Sequence, residues 1–355
     1  MESSCWITAD QPHEWENVLH ACAAHDVFHT LGYHQVNCGE PYLFHFQKDG
    51  RHAAFPLLLR ELPESSVFPN HCDATSVYGY PGPLASLEAP DPEFAAAFQC
   101  AFRRGLENLR VVSLFSRLHP RLANGWLLEG FCTLVEHGQT VWIDLRQEDA
   151  AYEACCSREH RKQMRRAERN GFKLIEDAEW AHIDDFLQMY YSTMERNEAG
   201  ADYYFPEAYF RQLAANLGTQ ARLFFLEHSG QLVTSVLVLG CQPFLAFFLS
   251  GTRPECLHLR CVRPLYDAVR RWGRAQGFLW LNLGGGVGNQ HDSLFEFKAT
   301  FSDLRQPFFT ARLILDHARY AELSRIQDAA QAASTLAEYF PAYRSPQPAA
   351  RLAVR

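Results

Sequence analysis

The same order of predicted elements occurs twice along the chain. In each half, two apolar segments flank a turn that contains a glycine, Gly50 in the first half and Gly230 in the second, which is typical of a β-hairpin. The apolar segments are residues 42–46, 53–59, 222–226 and 232–239, and the two turn glycines lie 180 residues apart. An internal repeat of this kind constrains the fold strongly, because each copy has to bury its own apolar faces.

Each predicted hairpin is followed by three further elements in the same order. They are an aromatic strand with a glycine-bearing turn, an amphipathic helix with apolar residues at helical spacing, and a short apolar strand. Their bounds are 77–83, 92–108 and 111–115 in the first half, and 247–252, 261–276 and 278–283 in the second. This order predicts an α/β protein with mixed sheets, built from two domains of one architecture. A single large α/β domain is the alternative.

The boundary between the two domains is predicted near residue 147. The linker is residues 144–149, which follow a predicted strand at 140–143, and a helix over 153–170 opens the second half and ends at Gly171. Near the C-terminus, a strand at 307–315 and a helix at 316–336 precede a tail, from Pro341, that we expect to be loosely ordered.

Composition narrows the class of protein. A length of 355 residues favours two domains, and a net charge of -8 excludes a generally basic nucleic-acid binder while leaving room for a local basic face. The eleven cysteines include no C-x-x-C pair, which favours reduced thiols over a disulfide framework. The N-terminus lacks the pattern of a signal peptide, and no uninterrupted apolar stretch reaches the length of a membrane helix. These observations predict a soluble, cytoplasmic protein.

A basic segment is the first candidate for function. Six Lys or Arg residues lie at positions 158, 161, 162, 165, 166 and 169 of a predicted helix, at spacings that place them on one broad face. A solvated helix face and a surface that binds a polyanion are both consistent with this pattern.

Three further segments have residue types suited to binding or catalysis. Residues 283–289 contain Gly284, Gly285 and Gly286 directly after a predicted strand, where they form either a structural turn or a loop whose backbone approaches a ligand. Lys298 lies in an aromatic run at 294–301, where it either extends to the surface or stabilises an oxyanion. Residues 78–83 form a rigid aromatic turn. No G-x-S-x-G or H-E-x-x-H motif is present and the histidines lack ligand spacing, so we predict no metal and no protein-bound cofactor.

Taken in this order, these segments resemble the FemABX family of aminoacyl-tRNA-dependent peptidyltransferases and its FemAB-like relatives. The matching segments are residues 78–83, 161–171, 191–196 and 250–252, and above all 283–286 followed by 295–301. The resemblance implies two tandem GNAT-like acyltransferase domains, the first formed by residues 1–147 and 306–355 and the second by 148–305.

The resemblance also implies transfer of an aminoacyl group from a charged tRNA to an amine of a peptide or small-molecule acceptor. It assigns Phe297 and Lys298 to catalysis, with Lys298 beside the reacting carbonyl. It associates Arg196 with the acceptor, which Tyr78, Tyr80 and Tyr191 also contact in a groove between the domains. It assigns binding of the donor tRNA to Arg161, Arg165, Arg169, Gly284, Gly285 and Gly286. A further surface for tRNA is predicted at Arg260, Arg263, Arg270, Arg271 and Arg274.

One departure from the family pattern bears on the acceptor. Members that build peptidoglycan bridges have a lysine near the start that contacts a diphosphate, and the corresponding residues 28–35 contain no lysine. A peptidoglycan precursor and a peptide or amine metabolite therefore both remain candidate acceptors. Neither the amino acid nor the oligomeric state follows from the sequence.

Two other functions compete with this prediction. The first is acyl-CoA-dependent N-acyl transfer, which usually needs a glycine-rich pyrophosphate loop, whereas the corresponding residues 252–262 contain no glycine. The second is a catalytically silent binding protein, against which the presence of Lys298 argues.

Overall fold

The structure is a computed structural model that describes residues 2–63, 68–156, 158–169, 171–330 and 339–345. The chain divides into two compact units. Unit 1 consists of Met1–Ala24, Phe28–Glu136 and Phe309–Arg355, and unit 2 of His25–Val27 and His137–Phe308.

Unit 1 is built on a mixed sheet that is covered by helix α3. In chain order, the elements of the first part of the chain are β1 (Glu2–Thr8), α1 (Pro12–Ala21), α2 (Leu31–His34), β2 (Glu40–Lys48), β3 (Arg51–Glu61), β4 (Cys72–Thr75), β5 (Leu84–Ala85), α3 (Pro92–Asn108), β6 (Val111–Arg117) and β7 (Thr133–Asp144). The strand order is β1-β2-β3-β4-β6, with β5 paired to β3. Asp91 caps α3 by accepting the N–H groups of Glu93 and Phe94, and the apolar face of α3 places Phe94, Phe98 and Phe102 in a phenylalanine-rich core.

Unit 2 has a second mixed sheet, packed against helices α6 and α8. Its elements, with the last strand and helix of the chain, are α4 (Asp149–Cys155), α5 (Arg158–Arg169), β8 (Lys173–Asp177), α6 (Ile183–Arg196), α7 (Glu207–Leu217), β9 (Ala221–His228), β10 (Gln231–Cys241), β11 (Phe244–Thr252), α8 (Val262–Ala275), β12 (Trp280–Gly284), α9 (Ser293–Ala299), β13 (Leu304–Ile314) and α10 (His317–Ala330). The strand order within the unit is β7-β12-β11-β10-β9-β8. The core lies between α8 and strands β10, β11 and β12.

Apart from the short segment His25–Val27, the units divide inside strands. The boundaries fall between Glu136 and His137, within β7, and between Phe308 and Phe309, within β13. The sequence placed them at 147/148 and 305/306, because the turn after residue 144 was taken as the linker. A strand that runs through both units carries no turn or composition change at the boundary, so sequence patterns do not mark it.

The two hairpins have the same turn. Asp49 and Gly50 have φ angles of 51° and 76°, and Ser229 and Gly230 have 53° and 80°. Two successive residues with positive φ are the signature of a type I′ turn, whose twist matches that of the paired strands. The predicted hairpins are therefore confirmed as β2–β3 and β9–β10.

Residues 77–83 contain no strand, so the predicted aromatic strand is wrong at this place, whereas the predicted rigid aromatic turn at 78–83 agrees with the structure. The strand at this place is β4, which ends at Thr75. Gly79 has a φ of 120°, and a Cβ atom there would lie 2.4 Å from the ring of Phe28. The hydroxyl of Tyr33 donates to the carbonyl of Tyr78 at 2.7 Å. The segment is instead a loop fixed by this hydrogen bond and by close packing.

The predicted helix over 153–170 is two helices. Between them, Cys156 has extended backbone angles, φ -72° and ψ 149°, which end α4. The guanidinium of Arg161 donates to the carbonyl oxygens of Glu153 and Cys156, at 3.1 and 2.6 Å. A helix C-terminus leaves carbonyl groups without intrahelical partners, and this arginine of α5 supplies them with donors.

Two findings bear on the predictions that the chain has no membrane helix and that its cysteines are reduced. Among the residues that the structure describes, none of the helices combines the length and the apolar composition needed to cross a bilayer. The cysteines whose side chains are described are all free thiols. Residues 331–336 of the predicted last helix, and the part of the tail from residue 346, lie outside the described residues.

Candidate active site

The neighbouring parallel strands β11 and β12 of unit 2 part from each other. In the described chain they pair over three residues, from Phe244 opposite Trp280 to Ala246 opposite Asn282. Shortly after the last pair, the register of β10 with β11 shifts by one residue, so that Phe248 is an extra residue in β11. A β-bulge bends the strand that contains it, and beyond Ala246 and Asn282 no further pair joins β11 to β12 within the described residues. The C-terminal ends of the two strands, which do not pair with each other, form the opening of the sheet.

The glycine turn follows β12 at this opening. Gly284 has a φ of 74°, and a Cβ atom there would lie 3.3 Å from the Nζ atom of Lys298. A Cβ on Gly286 would lie 2.3 Å from the Oδ1 atom of Asp292. The backbone carbonyl oxygen of Gln290 would lie closer still to that Cβ, at 2.1 Å. Glycine is therefore required at Gly284 by its backbone conformation and at Gly286 by the approach of this carbonyl and of the carboxylate.

Lys298 directs its ammonium group at this turn. Helix α9 carries the partly buried side chain back to the end of β12, where Nζ donates to the carbonyl oxygen of Gly285 at 2.6 Å. Burial lowers the pKa of Lys298 to about 8, and the carboxylate of Asp292 acts in the opposite direction. An ammonium has three N–H donors, so two remain for a substrate oxygen after this contact.

Asp292 connects the turn to helix α9. One carboxylate oxygen accepts the backbone N–H of Phe295 at 2.8 Å, and the other accepts that of Val287 at 2.9 Å. Although partial burial acts in the opposite direction, these hydrogen bonds hold the pKa of Asp292 below its usual range. A charged carboxylate therefore stays between the glycine turn and the helix that carries the lysine.

Phe297, the other predicted catalytic residue, packs beside Lys298 into the aromatic part of the core. Its ring contacts Tyr266 edge-on at 5.7 Å and Phe301 at 5.3 Å. The guanidinium of Arg263, from α8, lies 4.7 Å from the centre of the Phe297 ring. These contacts fix the C-terminal end of α9 and therefore the backbone position from which the Lys298 side chain extends.

The basic helix α5 borders a cavity of about 260 Å³ within unit 2. The cavity is lined by Tyr152, Glu153, Cys156, Arg161, Met164, Arg165, Asp267 and Arg271. Of the predicted donor-binding arginines, Arg165 is exposed and, within the described residues, forms no ion pair, whereas Arg161 caps α4. The side chain of Arg169 lies outside the described residues.

The arginines of α8 do not form the open cationic surface that the sequence predicted. Arg270 is 1% exposed, and its guanidinium donates to Asp267 at 2.8 Å and to Asp149 at 2.9 Å. Arg271 shares Asp267, and Arg274 pairs with Glu148. The pair of Arg270 with Asp267 is buried and hydrogen-bonded, so the prediction that Arg270 contacts tRNA is wrong, whereas Arg271 is exposed and its contact with tRNA stays a prediction.

Tyr191 and Arg196 both lie on α6 of unit 2. The hydroxyl of Tyr191 donates to the carbonyl of Phe205 at 2.7 Å, and its ring stacks on Tyr204. Arg196 is exposed at the C-terminal end of the helix, and its one hydrogen bond within the described residues is a long one, 3.4 Å, to the hydroxyl of Thr193. Among those residues it pairs with neither Glu195 nor Glu198, so its charge is available to a ligand.

Tyr78 and Tyr80 belong to unit 1. Tyr78 is 37% exposed and lies against the guanidinium of Arg117, 5.7 Å from the ring centre. Tyr80 packs edge-on against Phe28. Their predicted contact with the acceptor, in a groove shared with Tyr191 and Arg196, stays a prediction.

Sequence reasoning did not identify Asp292, and it assigned Arg263 to a tRNA surface and not to a contact with α9. An Asp directly before an apolar helical segment is a helix N-cap signal, and this signal was present at Asp292. No comparable signal exists for Arg263, since its contacts with α9 arise from tertiary packing. Within the described part of the chain, no group of three or more His, Cys, Asp or Glu side chains is arranged to hold a metal ion.

Comparisons with known proteins agree with this geometry. The family model of the acetyltransferase (GNAT) domain matches residues 156–298, which lie in unit 2. The crystal structure of FemX is similar over 90% of this chain and 99% of its own, with a TM-score of 0.69 and 12% sequence identity. The chain has the tandem-GNAT fold of the FemABX-like proteins. The predicted fold class is therefore confirmed.

Other solved structures share this fold at similar identity. The C-terminal domain of a putative lysylphosphatidylglycerol synthetase from Agrobacterium fabrum has a TM-score of 0.53 at 12% identity, covering 90% of this chain and 96% of that one. A tandem GNAT protein from the clavulanic acid biosynthesis pathway has a TM-score of 0.50 at 12% identity, covering 88% and 98%. Comparison with curated protein sequences gives no match.

The lowered pKa of Lys298 predicts a pH-dependent contribution to stability. Between the folded value of about 8 and the ordinary lysine value of about 10.4, the unfolded chain binds more protons than the folded one, so stability rises with pH. Below pH 8 the full cost of burying the charge is present. Relative to a Lys298→Met variant, the unchanged protein should gain about 1–3 kcal/mol between pH 7 and pH 10, because one pKa unit corresponds to about 1.4 kcal/mol.

Urea unfolding of both proteins at several pH values measures this difference. Lys162→Met, on the exposed face of α5, controls for the loss of one positive charge. A constant difference between the unchanged protein and Lys298→Met across this range would contradict the prediction.

Proposed function

We propose that this FemABX-like protein transfers an aminoacyl group from a charged tRNA to an amine of a peptide or small molecule. The product is an amide, and the ester bond to the tRNA is broken. The observation that carries the proposal is the ammonium of Lys298, held by the Gly285 carbonyl where β11 and β12 part.

The chemistry requires little from the protein beyond positioning and charge. An aminoacyl ester is already activated, so no covalent protein nucleophile is needed. Attack by a neutral amine gives a tetrahedral intermediate with a negative oxygen, and the two remaining N–H donors of Lys298 are suited to stabilise it. Its partly buried position strengthens this interaction, because a charge contact is worth more where water is partly excluded.

The similar structures support aminoacyl transfer without deciding the donor. FemX carries the name of the family whose members use aminoacyl-tRNA, and the Agrobacterium fabrum protein is named for a phospholipid that bears a lysyl group. Because the sequence identity to both proteins is only 12%, their substrates do not carry over, and the substrates proposed for this chain are inferred from its own residues. The acceptor remains either a peptidoglycan precursor or another peptide or amine.

Acyl-CoA is the second candidate donor, because the clavulanic acid pathway protein, described in a form without AcCoA, shares the fold. A pyrophosphate needs free backbone N–H groups at a helix N-terminus. In this chain the turn between β11 and α8 is a 3-10 helix, Pro254–Leu259, without glycine. The N–H of Cys256 donates to the carbonyl of Arg253, and that of Arg260 donates to the carbonyl of Leu257. These two N–H groups are already used, which favours tRNA over CoA.

A direct assay tests the proposal. The purified protein is incubated either with tRNA charged with a mixture of amino acids or with acetyl-CoA, in each case with a panel of peptides and amines, and products are read by mass. An aminoacyl mass shift with charged tRNA alone supports the proposal. An acetyl shift with acetyl-CoA alone replaces it by the second candidate, and no shift with either donor favours the binding protein.

Loss of the Lys298 charge should impair catalysis more than binding. Lys298→Met keeps most of the side-chain stem, so packing against α9 and the glycine turn is retained. Removal of one donor to an oxyanion typically lowers kcat by about 10²–10³-fold. We expect this loss with a nearly unchanged KM for both substrates, measured by steady-state kinetics. Full turnover by a folded Lys298→Met protein would remove the lysine from the mechanism.

Arg165 provides the cleanest test of tRNA binding, since Arg161 has a structural role as the cap of α4. Arg165→Glu should weaken binding of charged tRNA and reduce its salt dependence, because fewer counterions are released. Arg325→Glu, at an exposed position of α10, makes the same change of charge and serves as the matched control. Equal tRNA affinity for the two variants would mean that α5 is merely a solvated helix.

Arg196 is predicted to bind the acceptor. Its side chain is exposed at the end of α6, so Arg196→Ala should raise the KM for the acceptor more than that for the tRNA. Arg211→Ala, an exposed arginine of α7 that pairs with Glu207, controls for the loss of a surface charge. An equal effect of Arg196→Ala on both KM values would rule out the acceptor role.

A further inference from the structure

The carboxylate of Asp292 touches each part of the candidate site. It accepts the N–H of Val287 in the glycine turn and that of Phe295 in α9, at 2.9 and 2.8 Å. It also occupies the space that a side chain on Gly286 would need. The carbonyl that holds Lys298 belongs to Gly285, the residue before that glycine. A single side chain thus connects both ends of the Lys298–Gly285 contact.

We propose that Asp292 is a positioning residue, which holds the glycine turn and helix α9 in the one arrangement that presents the Lys298 ammonium at the opening. The kinetic consequence rests on the proposed function, whereas the effect on Lys298 itself does not.

Helix α9 is too short to hold this arrangement by itself. It has seven residues, and isolated helices of this length are not stable in water. Tertiary contacts fix its C-terminal end: Arg263 packs on Phe297, and Arg305 donates to the carbonyl of Ala299 at 3.1 Å. Asp292 supplies the corresponding contacts at the N-terminal end. Without it, the N–H groups of Val287 and Phe295 lose their acceptors and the turn that carries the Gly285 carbonyl is released.

A comparison with Asp91 separates this role from ordinary helix capping. Both backbone N–H groups that Asp91 accepts, from Glu93 and Phe94, belong to the first turn of its own helix, and its other oxygen pairs with the side chain of Arg51. Asp292 accepts one from its helix and one from Val287, five residues earlier in the chain. It therefore joins two segments, which a cap does not require.

Asp292 is also the carboxylate that favours the charged form of Lys298. The other charged groups near α9 are engaged elsewhere. On the helix, Glu296 pairs with His291 at 3.1 Å. From α8, Arg263 contacts Phe297 and Thr300, and from β13, Arg305 donates to backbone carbonyls. Replacing Asp292 by a neutral residue should thus favour the neutral amine of Lys298.

The test is Asp292→Asn, with Asp91→Asn as the matched control. Asparagine retains a carbonyl oxygen for one of the two N–H groups and removes the charge. Brief labelling with trace acetic anhydride at a series of pH values, read at Lys298 by peptide mass, reports the fraction of neutral amine without any donor substrate. In the unchanged protein the labelling midpoint should lie near pH 8. In Asp292→Asn it should move to lower pH, and hydrogen exchange at Val287 should become faster.

The kinetic arm follows with the donor that the function assay identifies. Asp292→Asn should lower kcat by up to about 100-fold, the scale of a misplacement of about 1 Å, and shift the alkaline limb of the pH–rate profile to lower pH. Asp91→Asn should change neither readout. If the unchanged protein turns over neither donor, the proposed function fails while labelling and exchange still decide the positioning role.

An unchanged midpoint and unchanged exchange at Val287 in folded Asp292→Asn would overturn the proposal. Should that variant not fold, Asp292→Ser keeps an N-cap oxygen without the charge and is measured in the same way, with the same outcomes.

Discussion

The contact between the Lys298 ammonium and the Gly285 carbonyl is the interaction around which the candidate site is organised. A partly buried charge is costly, and burial lowers the pKa of this lysine to about 8. The cost is tolerated because a backbone carbonyl accepts one N–H and the carboxylate of Asp292 lies nearby. The ammonium can still donate to a further negatively charged oxygen, such as the oxyanion of a tetrahedral intermediate.

The sheet of unit 2 places that contact at the ends of β11 and β12 that do not pair with each other. The two strands are paired up to Ala246 and Asn282, and β11 has a bulge at Phe248, which bends the strand. The end of β12 then continues into the glycine turn that receives Lys298. The backbone conformation of Gly284 disfavours a side chain, and the close packing around Gly286 leaves no space for one. The turn can therefore keep its shape only with glycine at both positions.

Unit 2 also shows why clusters of charge in a sequence are a weak guide to a binding surface. Six basic positions on α5 and five on or beside α8 looked alike in the sequence. In the structure, Arg270 is buried between Asp267 and Asp149, and Arg161 caps α4, whereas Arg165 stays exposed beside a cavity. Of the carboxylates that pair with these arginines, Asp267 lies on α8 itself, whereas Asp149 lies at the start of α4 and Glu148 directly before it, and the pattern of basic residues does not reveal this neighbour in space.

The sequence by itself determined the repeated order of elements and the two hairpins with Gly50 and Gly230, which follow from local rules: positive φ at hairpin turns, and helical and strand periodicity. The combination of a glycine turn with Lys298 was implied by the resemblance to the FemABX family. Only the tertiary structure decided that the unit boundaries run through strands and that one helix is two. It alone showed Asp292 joining Val287 to Phe295, because such contacts depend on backbone groups brought together by folding.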